Sequence, residues 1–373
     1  MKITILGLSI TSSWGNGHAT TFRSLVKGLN KRGHSVSFLE RDVPWYASNR
    51  DLPDPDYCKV YLYKSLADLQ QNYGGKVSNA DLVIVGSYVP EGVAVAEFVM
   101  KSAHGIKAFY DIDTPVTFAK LEKKDYEYIT PALIPQFDLY LTFSGGRTIE
   151  IFSTILGSRN VRPFYCSVDS DLYYPDCFDK TWDLGYLGTY SADRQPALDK
   201  LMIQAAKRWR KGKFIVAGPQ FPADTKWPRN IRYIHHLAPV LHRKFYNKQR
   251  FTLNITRQDM VRMGHSPSVR LFEAAACGVP IISDYWEGLE SFFEPGKEIF
   301  ISELPEDTIE ILKEAPESLI KTIAKNARSK ILQSHTGVQR AIELENYVFE
   351  LTHKYALKIS ALGKDYMQDK TRI

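Results

Sequence analysis

The chain has 373 residues, 44% hydrophobic and 24% charged, with 48 basic against 42 acidic side chains and a formal charge of +6. That length exceeds one ordinary α/β core and suits two domains, each burying its own sheet. The composition excludes a disordered chain, the apolar runs are too short to span a membrane, and the mild charge favours anionic ligands such as nucleotides without requiring nucleic acid.

In chain order, Met1–Gly7 carries an apolar run too short for a secretory leader and reads as a first strand. Strands are predicted at Ile3–Leu8, Ser35–Leu39, Leu82–Gly86, Lys107–Asp111, Leu139–Phe143 and Val161–Tyr165. Helices fit between them, such as Thr20–Arg32 closed by Gly33, and Gly92–Ser102. Strands alternating with helices predict βαβ units and a parallel sheet. The Pro- and Asp-rich stretch Ser167–Lys180 reads as a linker. A second series follows at Asp183–Gly188, Lys213–Gly218, Ile231–His235, Phe251–Ile255, Val279–Ser283 and Glu298–Ile301. From Thr336 the spacing of Val338, Ala341, Leu344, Val348 and Leu351 predicts a helix, and the polar end Gly363–Ile373 is expected to fray. The expected divisions are a first domain 1–166, a linker 167–182, a second domain 183–335, a helix 336–362 and a tail 363–373.

Four cysteines (Cys58, Cys166, Cys177, Cys277) stand singly, which indicates neither a zinc site nor a disulfide framework and suits a reducing, cytoplasmic setting. His235 and His236 are adjacent, so they point different ways and do not suggest a joint metal site. The runs Lys207–Lys213 and His242–Arg250 interleave basic and aromatic residues. They can grip nucleic acid but are expected to be the solvated faces of helix ends. Trp14, Trp45, Tyr46, Tyr57, Tyr61 and Tyr63 are candidates either for an acceptor-lining surface or for core packing.

The most informative run is Ser266-Pro-Ser-Val-Arg-Leu-Phe-Glu-Ala-Ala-Ala-Cys-Gly-Val-Pro-Ile-Ile-Ser283. Ser266 reads as an N-cap with Pro267 at the first helical position, and Gly278 closes the helix before Pro280. Val269, Phe272 and Ala276 share a face expected to pack on the sheet, while Ser266, Arg270, Glu273 and Cys277 share another. A helix start carrying Ser266, Ser268 and Arg270 suits an anion, since free N–H groups and the dipole point at it. A carboxylate further in can accept hydrogen bonds from both hydroxyls of a ribose. The plain alternative is that Arg270 and Glu273 form a surface pair.

This run, preceded by Leu253–Met260 and followed by Asp284-Tyr-Trp-Glu-Gly-Leu-Glu290, resembles the CgeB-type (spore maturation) glycosyltransferases, within the broad group-1 glycosyltransferases of GT-B fold. The resemblance extends to Asp183–Pro196 and more weakly to Phe109–Pro115. It implies two Rossmann-like parallel-sheet domains facing across a cleft, with the C-terminal helix crossing back to the first. It implies a nucleotide-sugar donor, UDP first among the bases, with no cofactor and no metal. Glu273 matches the glutamate expected on the ribose and Arg194 the basic residue expected on the pyrophosphate, with Gly188 leaving room for backbone approach. Arg257 and Arg270 are further phosphate candidates, and Trp286, Glu287 and Gly288 are candidates for the sugar. His265 stands where many retaining relatives carry a second glutamate, so the stereochemical outcome stays open.

On the acceptor side, Ser12-Ser-Trp-Gly-Asn-Gly-His-Ala19 departs from the dinucleotide fingerprint. It looks like the glycine–histidine loop bordering the cleft in several GT-B enzymes. His18 is then the candidate general base, supported by Asp111 or Asp113 at a strand's carboxyl end, where ligands of open α/β sheets sit. Alternatively His18 caps the loop and Asp113 a turn. The acceptor is expected to be a glycan, small molecule, protein or nucleic acid. Competing readings are a DNA-modifying glycosyltransferase, a sugar-nucleotide epimerase of the same fold, and a binding protein without turnover.

Overall fold

The computed structural model describes residues 1–15 and 17–370. The first sheet comprises β1 (Lys2–Gly7), β2 (Ser35–Arg41), β3 (Lys59–Tyr63), β4 (Leu82–Gly86), β5 (Ile106–Asp111), β6 (Leu139–Thr142) and β7 (Val161–Pro163). Its order is β3-β2-β1-β4-β5-β6-β7, and every pairing is parallel. The central strands are continuous apolar runs because helices cover both faces; all five residues of Leu82–Gly86 are buried. The sequence reading omitted β3, whose Lys59-Val-Tyr-Leu-Tyr63 lies at the sheet edge with only Tyr63 fully buried. A half-exposed edge strand carries a weak apolar signal.

The second sheet comprises β8 (Trp182–Leu187), β9 (Phe214–Ala217), β10 (Ile231–Ile234), β11 (Gln249–Asn254), β12 (Ile281–Ser283) and β13 (Phe300–Ile301). Its order, β10-β9-β8-β11-β12-β13, is again parallel throughout. The two Rossmann-like sheets make this a GT-B fold. In each sheet the chain reverses direction of growth beside the first strand, between β1 and β4 and between β8 and β11. Ligands of open α/β sheets gather at such switch points.

The domains meet along several seams. The Gly145 N–H donates to the His265 carbonyl at 3.0 Å, and the Ser144 and Ser266 hydroxyls are hydrogen-bonded. Val168 bridges Thr336 in parallel register. The helix Gly337–Lys370 then lies on the first domain, where Ala341, Leu344, Val348 and Leu351 join Phe22, Leu25 and Leu29 in one apolar cluster. The expected tail starting at Gly363 begins inside this helix, and 371–373 lie outside the described residues. Among the described residues no helix is long and apolar enough to cross a membrane.

That helix begins where backbone touches backbone. A Cβ on Gly28 would collide with the Gly337 carbonyl, and one on Gly337 with the Ser24 carbonyl. Gly28→Ala is therefore expected to force the two helices apart and lower stability by about 1–3 kcal/mol, read as a fall in the denaturant midpoint.

Candidate functional site

A cleft of about 640 Å³ separates the domains. Its walls are the loops after β1, β4 and β5 on one side and those after β8, β9 and β11 on the other, the two switch points facing each other.

The second-domain wall holds three arginines. Arg194, Arg257 and Arg270 all line the cleft. The Arg270 guanidinium is nearly buried. It lies 4.9 Å from the Tyr186 ring centroid, bonds the Leu187 carbonyl, and donates to Asn254 Oδ1 at 3.0 Å. Gly188 makes this possible, since a Cβ there would stand 2.6 Å from Arg270 Nη2. Arg194 donates to the Thr189 carbonyl at 2.7 Å, while its buried Nε finds no partner. Burial holds the Arg194 guanidinium below its ordinary range; Tyr186 opposes this, and the charges of Arg270 and Arg257 add to it. Neither Arg194 nor Arg270 forms an ion pair with a carboxylate, and Arg257 comes only within 3.7 Å of Asp193. Three clustered cations with so little neutralisation leave the wall short of negative charge, which an anion in the cleft would supply.

The helix beside them differs from its sequence reading at the start. It spans Val269–Ala276 with Ser268 at the N-cap, its side chain unbonded to the first turn. Ser266 lies upstream, fully buried, bonding Ser144 and the Gly264 carbonyl. A Pro at position 267 favours an extended Ser266 and delays the helix. Ser268, Val269 and Arg270 line the cleft, so the first turn's free N–H groups open into it. Val269 thus faces the cleft as well as the core, whereas Phe272 stacks on His335 with ring centroids 4.6 Å apart. Glu273 lies one turn further, 5% exposed, and accepts a 2.9 Å hydrogen bond from the Tyr246 hydroxyl. The Tyr173 phenol also faces this carboxylate, whose remaining lone pairs keep acceptor capacity toward the cleft that it lines.

Tyr246 belongs to the run His242–Arg250, expected to be solvated. The structure corrects this: Phe245, Tyr246 and Asn247 are buried, and His242 and Tyr246 line the cleft. The basic spacing hid an i, i+4 pair turned inward. The Lys207–Lys213 run does keep its five cationic residues Lys207, Arg208, Arg210, Lys211 and Lys213 exposed. His236 also lines the cleft, its ring 4.3 Å from that of Trp14 across the domains.

On the first-domain wall His18 Nε2 and Asp113 Oδ2 are 2.8 Å apart, with side chains 9% and 38% exposed. Burial pushes the Asp113 carboxyl up, but the His18 hydrogen bond and the charges of His18 and Arg257 outweigh it and leave it below the usual range. Asp111 lies behind the wall. It is fully buried, accepting from Thr117 at 2.6 Å and Tyr140 at 3.0 Å, and burial lifts its carboxyl to about 7. Asp111 ends β5, whereas Asp113 lies beyond the strand at the N-cap of the helix Thr114–Glu122, which puts the two in different surroundings. Tyr88 lines the same wall with φ of 61°, a left-handed conformation costly for a bulky residue.

Trp286, Glu287 and Gly288 do not line the cleft. Trp286 is 1% exposed within the core beside Phe292. The Glu287 carbonyl accepts from the His265 N–H at 2.7 Å, and Gly288 packs against the His265 ring. His265 itself holds a left-handed φ of 44° at the domain junction. Among the described residues no group of three His, Cys, Asp or Glu side chains is placed to hold a metal ion.

The charge imbalance has a direct readout. Pyrophosphate is expected to raise the melting temperature at millimolar concentration, and Arg194→Ala combined with Arg257→Ala to abolish that shift while leaving the protein folded by circular dichroism.

The family described as glycosyl transferase-like matches residues 194–346. A search of curated proteins finds no match. Among solved structures, sucrose-phosphate synthase from Thermosynechococcus elongatus is 12% identical with a TM-score of 0.68, over 95% of this chain and 100% of that one. Anabaena HepE in complex with UDP-glucose is 15% identical with a TM-score of 0.69, over 94% and 100%. An α-glucosyltransferase in complex with UDP-glucose and DNA is 13% identical with a TM-score of 0.70, over 93% and 98%. These similarities establish the GT-B fold. The matched family segment carries Arg194, Arg257, Arg270 and Glu273, so this part of the second domain is glycosyl transferase-like.

Proposed function

We propose that the protein moves a glycosyl group from a UDP-sugar to an acceptor hydroxyl across the interdomain cleft. The observation that carries this reading is the set of Arg194, Arg257 and Arg270 with almost no carboxylate to balance it, one helical turn from a buried glutamate. The spacing fits a nucleoside diphosphate. The arginines and the first turn of Val269–Ala276 receive the diphosphate, and Glu273, oriented by Tyr246, receives the ribose hydroxyls. The choice of UDP draws on HepE and the α-glucosyltransferase, both described in complex with UDP-glucose. The CgeB-like subgroup rests on the resemblance of residues 183–196 and 253–290. Four free cysteines suit a cytoplasmic setting.

In transfer, the bond from the anomeric carbon to the β-phosphate oxygen breaks with its electron pair going to UDP. The new bond forms to the acceptor oxygen, whose proton must leave. The arginines stabilise the charge that develops on the departing diphosphate, a role that preorganised cations fill well in a water-poor site. No metal is then required for that step. Of the acceptor-side pair, Asp113 is the more exposed member and His18 the buried one. We therefore assign proton acceptance to the Asp113 carboxylate and its positioning to His18, reversing the emphasis of the sequence reading.

Four outcomes test this. Glu273→Ala and Arg194→Ala are expected to lose UDP protection against thermal unfolding, and wild-type transfer by both variants would overturn the donor site. Asp113→Asn is expected to lower kcat by about 10²-fold with UDP binding unchanged. A base must be deprotonated to act, and Asp113 lies below the usual carboxylate range. Hence kcat/KM should stay level from about pH 5 to 8, and an acid limb within that range would tell against Asp113 as the base. EDTA should leave the rate within about twofold if arginines supply the leaving-group charge.

A further inference from the structure

The two walls of the cleft differ in charge, and the difference bears on the acceptor. All three lining arginines belong to the second domain; among the described residues no Lys or Arg of the first domain lines the cleft. Two cations on the helices Gly17–Lys31 and Thr114–Glu122, which start at this wall, are already neutralised. Arg23 grips Asp51 through two nitrogens at 2.9 and 2.8 Å, and Asp51 in turn holds Ser13 on the wall. Lys120 bonds both Asp125 and Glu127. What the wall does present is the half-exposed Asp113 carboxylate, the phenol rings of Tyr46 and Tyr88, and the hydroxyls of Ser13, Thr20 and Thr21.

We infer that the acceptor is an uncharged, hydroxyl-bearing ring, a glycoside or a phenol, and not a phosphorylated sugar or a nucleic acid. The inference rests on the glycosyltransferase reading above and narrows its substrate class. A phosphate on the acceptor would meet Asp113 with no first-domain Lys or Arg on the wall beside it, and like charges brought together in a partly desolvated site disfavour the wrong partner strongly. The arginines opposite would serve the donor diphosphate and are not free to compensate. An uncharged ring suits what remains: its flat or C–H-rich face packs on Tyr46 or Tyr88, and its hydroxyls bond the Ser and Thr side chains, with one directed at Asp113. The left-handed backbone of Tyr88 supports a role for its ring in this wall, since such a conformation persists only where the surroundings hold it. Trp45, 61% exposed on the short helix Pro44–Ala47 beside Tyr46, extends the aromatic surface outward.

The test uses the full chain saturated with UDP, so that the donor sugar need not be known. Saturation-transfer NMR compares methyl and p-nitrophenyl glycosides and simple phenols with hexose 6-phosphates and a short DNA duplex. Neutral rings are expected to bind at least about tenfold more tightly than phosphorylated counterparts, with little dependence on salt. Glycosides binding alone would identify a saccharide acceptor and phenols alone an aromatic one, and either supports the inference. Asp113→Asn, which removes the charge but keeps the shape, should narrow the gap against the hexose phosphates severalfold. Equal or tighter binding of the phosphorylated sugars would overturn the inference, as would DNA binding with steep salt dependence or no binding of any neutral ring at about 10 mM. Loss of UDP protection against unfolding in the wild-type protein would instead overturn the donor site, so the two failures are distinguishable.

Discussion

Three arginines that repel one another are held on one wall of a cleft, and the surrounding structure is arranged to hold them there. Each charge costs free energy when withdrawn from water, and each raises the cost of the others. The protein offsets this with neutral groups: carbonyls, the Asn254 amide and the Tyr186 ring for Arg270, and the Thr189 carbonyl for Arg194. Because the one carboxylate pairing among the three is that of Asp193, 3.7 Å from Arg257, much of their field remains directed into the cleft. A site prepared in this way stabilises negative charge as it forms without first breaking ion pairs.

The placement of that cluster follows from the sheets. Arg194 follows β8, Arg257 follows β11, and these strands flank the switch point of the second sheet. His18 and Tyr88 follow β1 and β4, which flank the switch point of the first. Two sheets of like topology set face to face bring the two sets together. The seams that hold the domains at this distance lie beside the site, so the Gly145–His265 and Ser144–Ser266 contacts anchor the loop from which Val269–Ala276 emerges. Trp14 against His236 closes the cleft at another point.

Much of the fold was legible because a buried parallel strand announces itself as a short apolar run between helices. Twelve of the strands fall within a few residues of their sequence reading, and β3 was missed because half of it faces water. Of the cleft-lining residues, Arg270 and Glu273 were legible from helical spacing, a local property, and Arg194 and Arg257 only from the resemblance. Local rules failed at Ser266, where Pro267 made an inviting N-cap but the chain instead turned through Gly264 and His265 to reach the first domain. They failed again at Trp286, whose sequence neighbourhood suggested a ligand and whose surroundings are core. His242 and Tyr246 looked solvated because charged neighbours masked the inward face of their helix.

The sequence by itself determined two parallel-sheet domains and a helix start bearing Arg270 with Glu273 one turn on, because strand patterning and helical periodicity act between near neighbours. It also placed His18, Asp111 and Asp113 near strand ends. Only the tertiary structure decided that Asp113 faces the cleft beside His18 while Asp111 is sealed behind Thr117 and Tyr140. It alone showed that Arg194 and Arg270 form no carboxylate ion pair and that, among the described residues, no Lys or Arg of the facing wall lines the cleft. Those properties depend on groups far apart in the chain, and charge balance in a cleft is fixed only once both walls are in place.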